Sequence, residues 1–336
     1  MSDTPPPQLA MIISRTPLRV SFCGGGTDID GFSMVEPSGG RVVSTAINKY
    51  VYVTLNQRFD DRIRVSYSSM EDVDSVSQIQ HALVREALQL TGIESGVEIT
   101  TIADIPGRGT GLGSSSSVTV GLLNAMHSFQ GRNPSKEQLA EEACKIEIEI
   151  MGAPIGRQDQ YAASFGGINS IRFGDAGVSV EPIEIGNELV SRISRNFTLV
   201  FTGMTRSASE VLSEESEDEK DKGSRMRRIR EHADKAAMMF QTGDLDSIGD
   251  LLNETWNAKR GISSLITNPT IDELYGQVMS SGAKGAKLLG AGNGGFLLVY
   301  GDDPLRETLE SELGSEIRMF PLDIDFSGSV IIHGNS

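Results

Sequence analysis

Apolar positions along the chain repeat with two different periods, so that segments typical of β-strands are interleaved with segments typical of helices. The strand-like segments are rich in β-branched residues and are bounded by Gly, Asp or Ser. They lie near residues 11–22, 41–56, 62–67, 97–103, 167–173, 178–185, 197–201, 295–301 and 317–325. Because strands and helices mix without strict alternation, the pattern predicts an α+β protein rather than a doubly wound parallel sheet.

Two helices in the first half have recognisable ends. The first is expected to stop at Gly92, the place of a C-terminal glycine, after four apolar residues at helical spacing: Ile79, Leu83, Ala87 and Leu90. The second begins with a capping-box pattern, Ser135 followed by Gln138. Its apolar stripe is predicted over residues 139–150, with the end of the helix near Gly152.

The second half contains a helix-rich block near residues 225–281 and a further helix over 303–314. With 336 residues the chain is too long for one ordinary core and suits two domains of about 150 residues each. We place the boundary near residue 187, which predicts domains over 11–187 and 188–336.

Charge and composition disfavour several classes of function. The formal net charge of -16, without a segregated basic patch, disfavours binding to nucleic acid or to anionic membrane surfaces. No apolar run approaches the roughly 18 residues of a membrane span, and the segment MSDTPPPQLA is expected to be a disordered tail rather than a signal peptide. Only Cys23 and Cys144 occur, outside any metal-binding spacing, which suits a reducing cytoplasm. The acidic run at 213–223 is expected to be a solvated loop.

The stretch GRGTGLGSSSSVTVG at residues 107–121 carries the clearest chemical signal. Apolar residues at helical spacing follow its serines, so the serines are predicted at the N-terminus of a buried helix whose first N–H groups lack partners. The glycines let the backbone approach a phosphate chain, and a serine hydroxyl can bind Mg²⁺. A serine cap after a flexible loop is the simpler alternative, but four glycines and four serines exceed what a cap needs. We therefore expect phosphate binding here.

Two familiar nucleotide-binding fingerprints do not account for this signal. No Gly-Lys-Ser/Thr follows the glycines, so the stretch is not a Walker A loop. The segment GAGNGG at 290–295 formally matches the dinucleotide fingerprint, but it leads into the strand-like FLLVY rather than into a helix. A tight turn in a helix–strand connection is expected there instead.

Three carboxylates are candidates for the chemistry. Asp159, a lone acid between two glutamines in an expected loop, is by itself typical of a turn or cap. It could accept a hydroxyl proton if this loop faces the phosphate site. Glu147 and Glu149 lie at the two edges of the apolar stripe of their helix, where a carboxylate could bind Mg²⁺ or simply be solvated.

A second glycine-rich turn follows the first predicted strand, in RTPLRVSFCGGGTDIDGF. Three successive glycines exceed the needs of a turn, and Asp28 just past them could accept two sugar hydroxyls. Arg19, on the strand, could supply the positive charge that the missing Walker lysine would have carried.

Together these motifs resemble the GHMP kinases, the superfamily of galactokinase, homoserine kinase, mevalonate kinase and phosphomevalonate kinase. PLRVSFCGGGTD, PGRGTGLGSSSS and KLLGAGNGGF occur in the family's order and frame most of the chain. Within the family, the details GGGTD, PIGRQDQYAASFGG, FTGMTRSASEVL and ITNPTIDELY are most similar to the bacterial D-glycero-D-manno-heptose 7-phosphate kinases, followed by sugar 1-kinases such as fucokinase.

The resemblance implies the GHMP kinase fold: an N-terminal domain like the second domain of ribosomal protein S5 and a ferredoxin-like C-terminal domain, with ATP and Mg²⁺ in the cleft. By motif position, it implies Asp159 as the catalytic aspartate and Arg19 as the basic residue that assists transfer. Ser115 and Glu147 would hold the Mg²⁺ ion. The nucleotide contacts implied by the second motif are Gly109, Gly111, Leu112, Gly113, Ser114, Ser115 and Ser116. The expected substrate contacts are Gly25, Gly26, Thr27, Asp28 and Arg206.

The chain departs from the family pattern at three places. Four residues rather than three separate Pro106 from Gly111, which can shift individual phosphate contacts by one. Asn293 replaces a usual glycine, and asparagine tolerates left-handed backbone better than most residues. Gly25 and Gly26 replace the Glu-His pair of galactokinases, which argues against galactose and leaves room for a bulkier or phosphorylated sugar.

Our first hypothesis is an ATP-dependent kinase that phosphorylates the anomeric hydroxyl of a heptose 7-phosphate in nucleotide-activated heptose synthesis. A free-sugar 1-kinase and a GHMP-fold binding protein without turnover are the alternatives, and retention of the implied catalytic and metal-binding residues favours an enzyme. A substrate phosphate needs a specific cation in so acidic a protein, and Arg206 is the leading candidate, with a surface ion pair as an equal alternative. The oligomeric state stays open, with a homodimer as one option.

Overall fold

The structure is a computed structural model that describes residues 11–105, 109–205 and 219–334. The predicted N-terminal tail, Arg206 and residues 213–218 of the acidic run lie outside the described residues. The strands are β1 (Met11–Cys23), β2 (Gly40–Gln57), β3 (Ile63–Ser66), β4 (Met70–Val73), β5 (Val97–Ala103), β6 (Ile168–Gly174), β7 (Gly177–Pro182), β8 (Phe197–Phe201), β9 (Gly285–Leu288), β10 (Phe296–Tyr300), β11 (Met319–Pro321) and β12 (Val330–His333). The helices are α1 (Asp30–Ser33), α2 (Ala82–Thr91), α3 (Ser114–Phe129), α4 (Lys136–Cys144), α5 (Gln158–Phe165), α6 (Asn187–Asn196), α7 (Glu219–Thr242), α8 (Leu245–Arg260), α9 (Pro269–Ser280) and α10 (Leu305–Leu313).

The described strands form two sheets, which confirms the α+β class. The larger sheet has eight strands, in the order β12-β1-β2-β5-β3-β4, with β6 paired to β2 and β7 paired to β6. Strand β2 is long enough to serve two partners on one side: residues 40–45 pair with β6, and residues 51–57 pair with β5. The β3–β5 pair is parallel, and the other pairs are antiparallel.

Helix α3 packs against β1 and β2 and forms much of the first core. Its residues are almost all buried as far as His127. Gly121 permits the close approach, because a Cβ there would lie 3.0 Å from Thr16 Oγ1 and 3.2 Å from Val53 Cγ2. The prediction that the serine run begins a buried helix is therefore confirmed.

The smaller sheet is antiparallel, in the order β11-β8-β10-β9, and packs against helices α8 and α9 around Trp256 and Leu297. Its strand and helix order, with extra helices, is the β-α-β-β-α-β order of a ferredoxin-like domain. Strand β12 instead returns to the larger sheet and pairs with β1. The last strand of the segment predicted as the second domain thus completes the first sheet, and the boundary at residue 187 stays a prediction.

The predicted helix over residues 139–150 begins as expected but does not continue as one α-helix. Ser135 Oγ accepts a hydrogen bond from Gln138 N at 3.1 Å, as the capping box predicts. The chain then widens into a π-helical segment over Lys145–Ile150. A π-turn inserts a residue into the helical repeat and rotates the next side chains about the helix axis, so Glu147 is buried while Ile150 is 48% exposed. The uniform apolar stripe was therefore the wrong expectation here.

Three other local expectations are wrong. The segment that contains Asp159, expected as a loop, forms α5, with Asp159 in its first turn. The GAGNGG segment connects two strands, β9 and β10, rather than a helix and a strand. Residues 219–223 of the acidic run belong to α7 rather than to a loop.

In the described ranges, no helix combines the length and apolar character needed to cross a membrane.

Candidate active site

The N-terminus of α3 is the centre of the candidate site. Gly113 precedes the helix with a φ of 72°, and no side chain caps the first turn. Ser115 is exposed, whereas the other three serines of the run are buried. Ser114 and Ser116 can therefore meet a phosphate through their backbone N–H groups, and Ser115 can add its hydroxyl. The positive end of the helix dipole makes this an anion site.

Arg19 and Asp159 form a bidentate ion pair beside this helix end. Arg19 Nε donates to Asp159 Oδ1 at 2.7 Å and Nη2 donates to Oδ2 at 2.8 Å, although the two residues are 140 positions apart. Arg19 is only 4% exposed, and its Nη1 donates to Gly111 O at 2.6 Å. A Cβ on Gly113 would lie 3.1 Å from Arg19 Cγ and 3.2 Å from Asp159 Oδ2. The predicted catalytic pair therefore lies directly against the predicted phosphate loop.

The glycine-rich loop at residues 109–113 and the GAGNGG loop at residues 290–295 pack backbone against backbone. A Cβ on Gly111 would lie 2.7 Å from Leu289 O, and a Cβ on Gly295 would lie 2.3 Å from Thr110 O. Asn293, the residue that departs from the family pattern, has a φ of 58°. The expectation that asparagine sustains the left-handed backbone of this loop is confirmed.

Ser115 and Glu147 are in contact at the N-terminal end of α3. Ser115 Oγ donates to Glu147 Oε1 at 2.8 Å, and Gln160 Nε2 donates to Oε2 at 2.7 Å. Glu147 is 2% exposed, whereas Glu149 is exposed. Burial raises the pKa of Glu147, and the nearby Asp159 carboxylate raises this pKa further.

These groups fit a magnesium ion. A carboxylate and a hydroxyl are hard oxygen ligands, and Mg²⁺ is typically held by one or two protein groups together with phosphates and water. No described side chain forms a salt bridge with Glu147, so a bound cation would neutralise a buried charge. Among residues 11–105, 109–205 and 219–334, no cluster of three His, Cys, Asp or Glu could hold a metal without such outside ligands.

Asp28 links the glycine turn at residues 24–26 to the start of α5 through hydrogen bonds. Its Oδ1 accepts from Gly26 N at 2.9 Å and from Gln158 Nε2 at 3.0 Å, and its Oδ2 accepts from Gln158 N at 3.0 Å. Asp28 is 1% exposed, and burial raises its pKa. Asp28 thus places Gly25 and Gly26 next to the helix that carries Asp159, a role that the sequence did not reveal.

Sequence reasoning missed several supporting residues. Gln158 and Gln160, the two neighbours of Asp159, hold Asp28 and Glu147 respectively, and the QDQ triplet was the available signal. Lys287 of β9 donates to Ser21 O at 2.8 Å and to Phe22 O at 2.9 Å. Lys287 is the first residue of the KLLGAGNGGF motif, but the sequence did not reveal that it joins the smaller sheet to the strand that carries Arg19.

The structure thus brings the three predicted motifs together around the start of α3. Arg19, Asp159, Ser115, Glu147 and the loop at 109–116 surround the start of α3. Gly25, Gly26, Thr27 and Asp28 adjoin them through Gln158. Arg206 lies outside the described residues, so its predicted substrate contact stays a prediction.

The chain is similar to known proteins along most of its length. Residues 77–167 match the model described as "GHMP kinases N terminal domain", and residues 236–316 match that described as "GHMP kinases C terminal". The D-glycero-alpha-D-manno-heptose 7-phosphate kinase of Campylobacter jejuni is 30% identical, over 91% of this chain and 94% of that protein. The bifunctional fucokinase/GDP-fucose pyrophosphorylase of Arabidopsis thaliana is 26% identical, over 90% of this chain and 32% of that longer protein.

Solved structures show the same fold. A D-glycero-D-manno-heptose 1-phosphate kinase from Bacteroides thetaiotaomicron superposes with a TM-score of 0.78 at 24% identity, covering 97% of this chain and 99% of that one. A Lactococcus lactis galactokinase complexed with galactose superposes with a TM-score of 0.74 at 19% identity, covering 95% of each chain.

Proposed function

The chain belongs to the GHMP kinases and is an ATP-dependent sugar kinase, and we propose that it phosphorylates the anomeric hydroxyl of D-glycero-D-manno-heptose 7-phosphate to the 1,7-bisphosphate. The observation that carries the catalytic part is the Arg19–Asp159 pair against the start of α3. In this arrangement a phosphate donor and a hydroxyl acceptor can approach each other across Asp159.

Each group has a distinct task in the proposed transfer. The N–H groups at the start of α3 and the glycine loop at 109–113 hold the phosphate chain of ATP. Asp159 accepts the hydrogen bond, and then the proton, of the attacking hydroxyl. Arg19 fixes the orientation of that carboxylate through two parallel hydrogen bonds and adds positive charge beside the transferred group.

Mg²⁺ would be held by Ser115 Oγ and the carboxylate of Glu147, and when bound it would neutralise charge on the phosphates. Gln160 keeps the Glu147 carboxylate turned toward Ser115. This second contact makes Glu147, rather than Glu149, the metal ligand in our proposal.

We expect Ser115→Ala and Glu147→Gln each to raise the Mg²⁺ concentration needed for half-maximal activity by about tenfold, the loss of one ligand contact of the order of 1.4 kcal/mol. Glu149→Gln is the matched control, because Glu149 is two residues away but exposed. Activity is measured as a Mg²⁺ titration at saturating ATP. A stronger effect at Glu149 than at Glu147 would contradict the assignment.

Two observations support a sugar phosphate as the acceptor. Gly25 and Gly26 are both partly exposed, and this turn carries no side chain at these two positions that would crowd a bulky acceptor. The Campylobacter jejuni relative, which matches over most of both chains, is named for a heptose 7-phosphate.

The acceptor test compares ATP consumption with D-glycero-D-manno-heptose 7-phosphate, with the same heptose lacking its phosphate, and with L-fucose. We expect the highest kcat/KM with the heptose 7-phosphate, and a new phosphate at C1 in the NMR spectrum of the product. Arg206→Met should weaken the reaction of the phosphorylated heptose by roughly 1.5 to 3 kcal/mol and leave the unphosphorylated heptose almost unchanged, because it removes one charge-assisted contact.

Arg172→Met is the control for this substitution, since Arg172 is a half-exposed arginine that pairs with Glu181 at 3.4 Å on the surface. Equal losses on both heptoses in Arg206→Met would make Arg206 a structural residue. Preference of the wild-type enzyme for an unphosphorylated sugar would replace the proposal with a free-sugar 1-kinase.

A further inference from the structure

Lys259 lies in the last turn of α8, at the edge of the candidate active site. Its Nζ donates a hydrogen bond to Gly290 O in the GAGNGG loop at residues 290–295. The side chain is partly exposed. No carboxylate of the described part of the chain lies within salt-bridge distance of this ammonium group, which sets it apart from Arg19.

The loop that Lys259 contacts is the one packed on the phosphate loop. A Cβ on Gly290 would lie only 2.4 Å from Gly111 Cα, and Gly111 O in turn accepts a hydrogen bond from Arg19 Nη1 at 2.6 Å. Lys259 and Arg19 therefore approach the same pair of glycine loops, Arg19 from the larger sheet and Lys259 from a helix that packs on the smaller sheet.

Charged groups on three neighbouring elements act on Lys259. Arg19 lies on β1, Lys287 lies on β9, and Asp28 lies in the glycine turn after β1. Burial, followed by Lys287 and Arg19, lowers the pKa of Lys259 to about 7, and only Asp28 opposes this change. Arg19 is already paired with Asp159, whereas Lys259 and Lys287 form no salt bridge within the described residues, so the two lysines add positive charge that a bound anion could neutralise.

Comparison with Lys287 shows why Lys259 is the one available to a ligand. Both lysines donate to backbone carbonyls beside the site. Lys287 is 3% exposed and already makes two hydrogen bonds. An ammonium group has three N–H donors, so Lys259, which is less buried than Lys287 and makes one hydrogen bond within the described residues, keeps two donors for a bound group.

We propose that Lys259 binds the terminal phosphoryl group of ATP, opposite Arg19 across the joined glycine loops. The terminal group is favoured over the inner phosphates because Lys259 and Arg19 contact the same two packed loops, and Arg19 also holds Asp159, the proposed base for the acceptor hydroxyl. The proposal rests on the ATP-dependent kinase activity but not on which sugar is the acceptor, and its test contains no sugar.

Proton uptake on nucleotide binding tests this proposal. Lys259 is charged below pH 7 and loses its proton as the pH rises through about 7. A phosphate contact favours the charged form, so at pH 8 ATP binding should draw most of one proton per site, on the order of 0.9 for a group that is one-tenth protonated beforehand. The uptake is measured by titration calorimetry with ATP and Mg²⁺ in two buffers of different ionisation enthalpy. ADP, which lacks the terminal group, should draw much less.

Variants of Lys259 test whether this residue takes up the proton when ATP binds. Lys259→Arg, which stays charged, should abolish the uptake and make ATP affinity nearly constant between pH 7 and 8.5, where the wild-type affinity falls. Lys259→Met should also abolish the uptake and weaken ATP binding by about ten- to a hundredfold. Lys287→Arg is the matched control and should keep the uptake, because the proposal assigns the proton to Lys259.

Three results would overturn the proposal: equal uptake with ATP and ADP, uptake that persists in Lys259→Arg, or no uptake by the wild-type protein. The wild-type comparison of ATP with ADP needs no variant, so a poorly folding substitution does not remove the test. An acceptor other than heptose 7-phosphate would leave all these outcomes unchanged.

Discussion

Asp159→Asn should lower kcat by about two to four orders of magnitude while leaving ATP binding nearly intact. The carboxamide cannot accept the proton of the attacking hydroxyl. It also cannot accept both hydrogen bonds from Arg19, whose Nε and Nη2 lie 2.7 Å and 2.8 Å from the two carboxylate oxygens. Turnover is measured with saturating ATP and acceptor, and the ATP dissociation constant is measured by calorimetry.

A structural effect must be separated from this catalytic one, because Arg19 is 4% exposed and loses its partner charge in the variant. The double variant Arg19→Met/Asp159→Asn removes the stranded charge and should recover unfolding free energy without recovering turnover. Asp60→Asn breaks a comparable bidentate pair with Arg58, at 2.6 Å and 2.7 Å, in an exposed position, and should leave kcat unchanged. Near-normal turnover of Asp159→Asn would exclude Asp159 from the mechanism.

Gly111→Ala should lower kcat/KM for ATP by about a hundredfold or more, because loop displacements of the order of 1 Å at a reacting site have effects of this size. Gly111 has a φ of 74°, and a Cβ there would lie 2.7 Å from Leu289 O and 3.2 Å from Gly290 N. Backbone atoms cannot rotate away as a side chain can, so the loop at residues 109–113 and the loop at residues 290–295 must move apart. The separation also displaces Gly111 O, the acceptor of Arg19 Nη1.

Gly131→Ala isolates the cost of the backbone conformation alone. Gly131 has a φ of 71° and no atom within 4 Å of the position of an added Cβ. We expect it to lose about 1 to 2 kcal/mol of unfolding free energy, the usual left-handed penalty, with kcat/KM unchanged. Thermal or denaturant unfolding and steady-state kinetics measured on both variants make the comparison. Similar kcat/KM values for ATP in the two variants would show that the contact between the loops does not affect the reaction.

Local signals predicted the elements from which the site is built. The apolar repeat after the serine run predicted α3 and its buried position, and the structure confirms both. The Ser135–Gln138 cap and the left-handed Gly92 at the end of α2 are also confirmed. These features depend on residues within about one helical turn of each other, and such short-range preferences are legible in a single sequence.

The different burial of Glu147 and Glu149 was beyond local reasoning. Glu147 and Glu149 lie at the two edges of the predicted apolar stripe, and this pattern left both open, whereas the family resemblance implied Glu147. The π-helical segment at Lys145–Ile150 turns Glu147 inward, toward Ser115 and Gln160. Packing on neighbouring elements decides such a local change of helical repeat, and no capping or periodicity rule predicts it.

The sequence by itself determined the α+β class, the buried helix that begins at the serine run and, through the order of three motifs, the kinase family. The tertiary structure alone decided how these parts meet. It pairs Arg19 with Asp159 across 140 positions and packs Gly290 on Gly111. It also brings Lys259, on a helix that packs on the smaller sheet, to the loops that Arg19 contacts from the larger sheet. The physical reason is range: caps and periodicity act between neighbours along the chain, whereas ion pairs, backbone contacts and shared burial depend on distances that exist only after both sheets have folded and packed together.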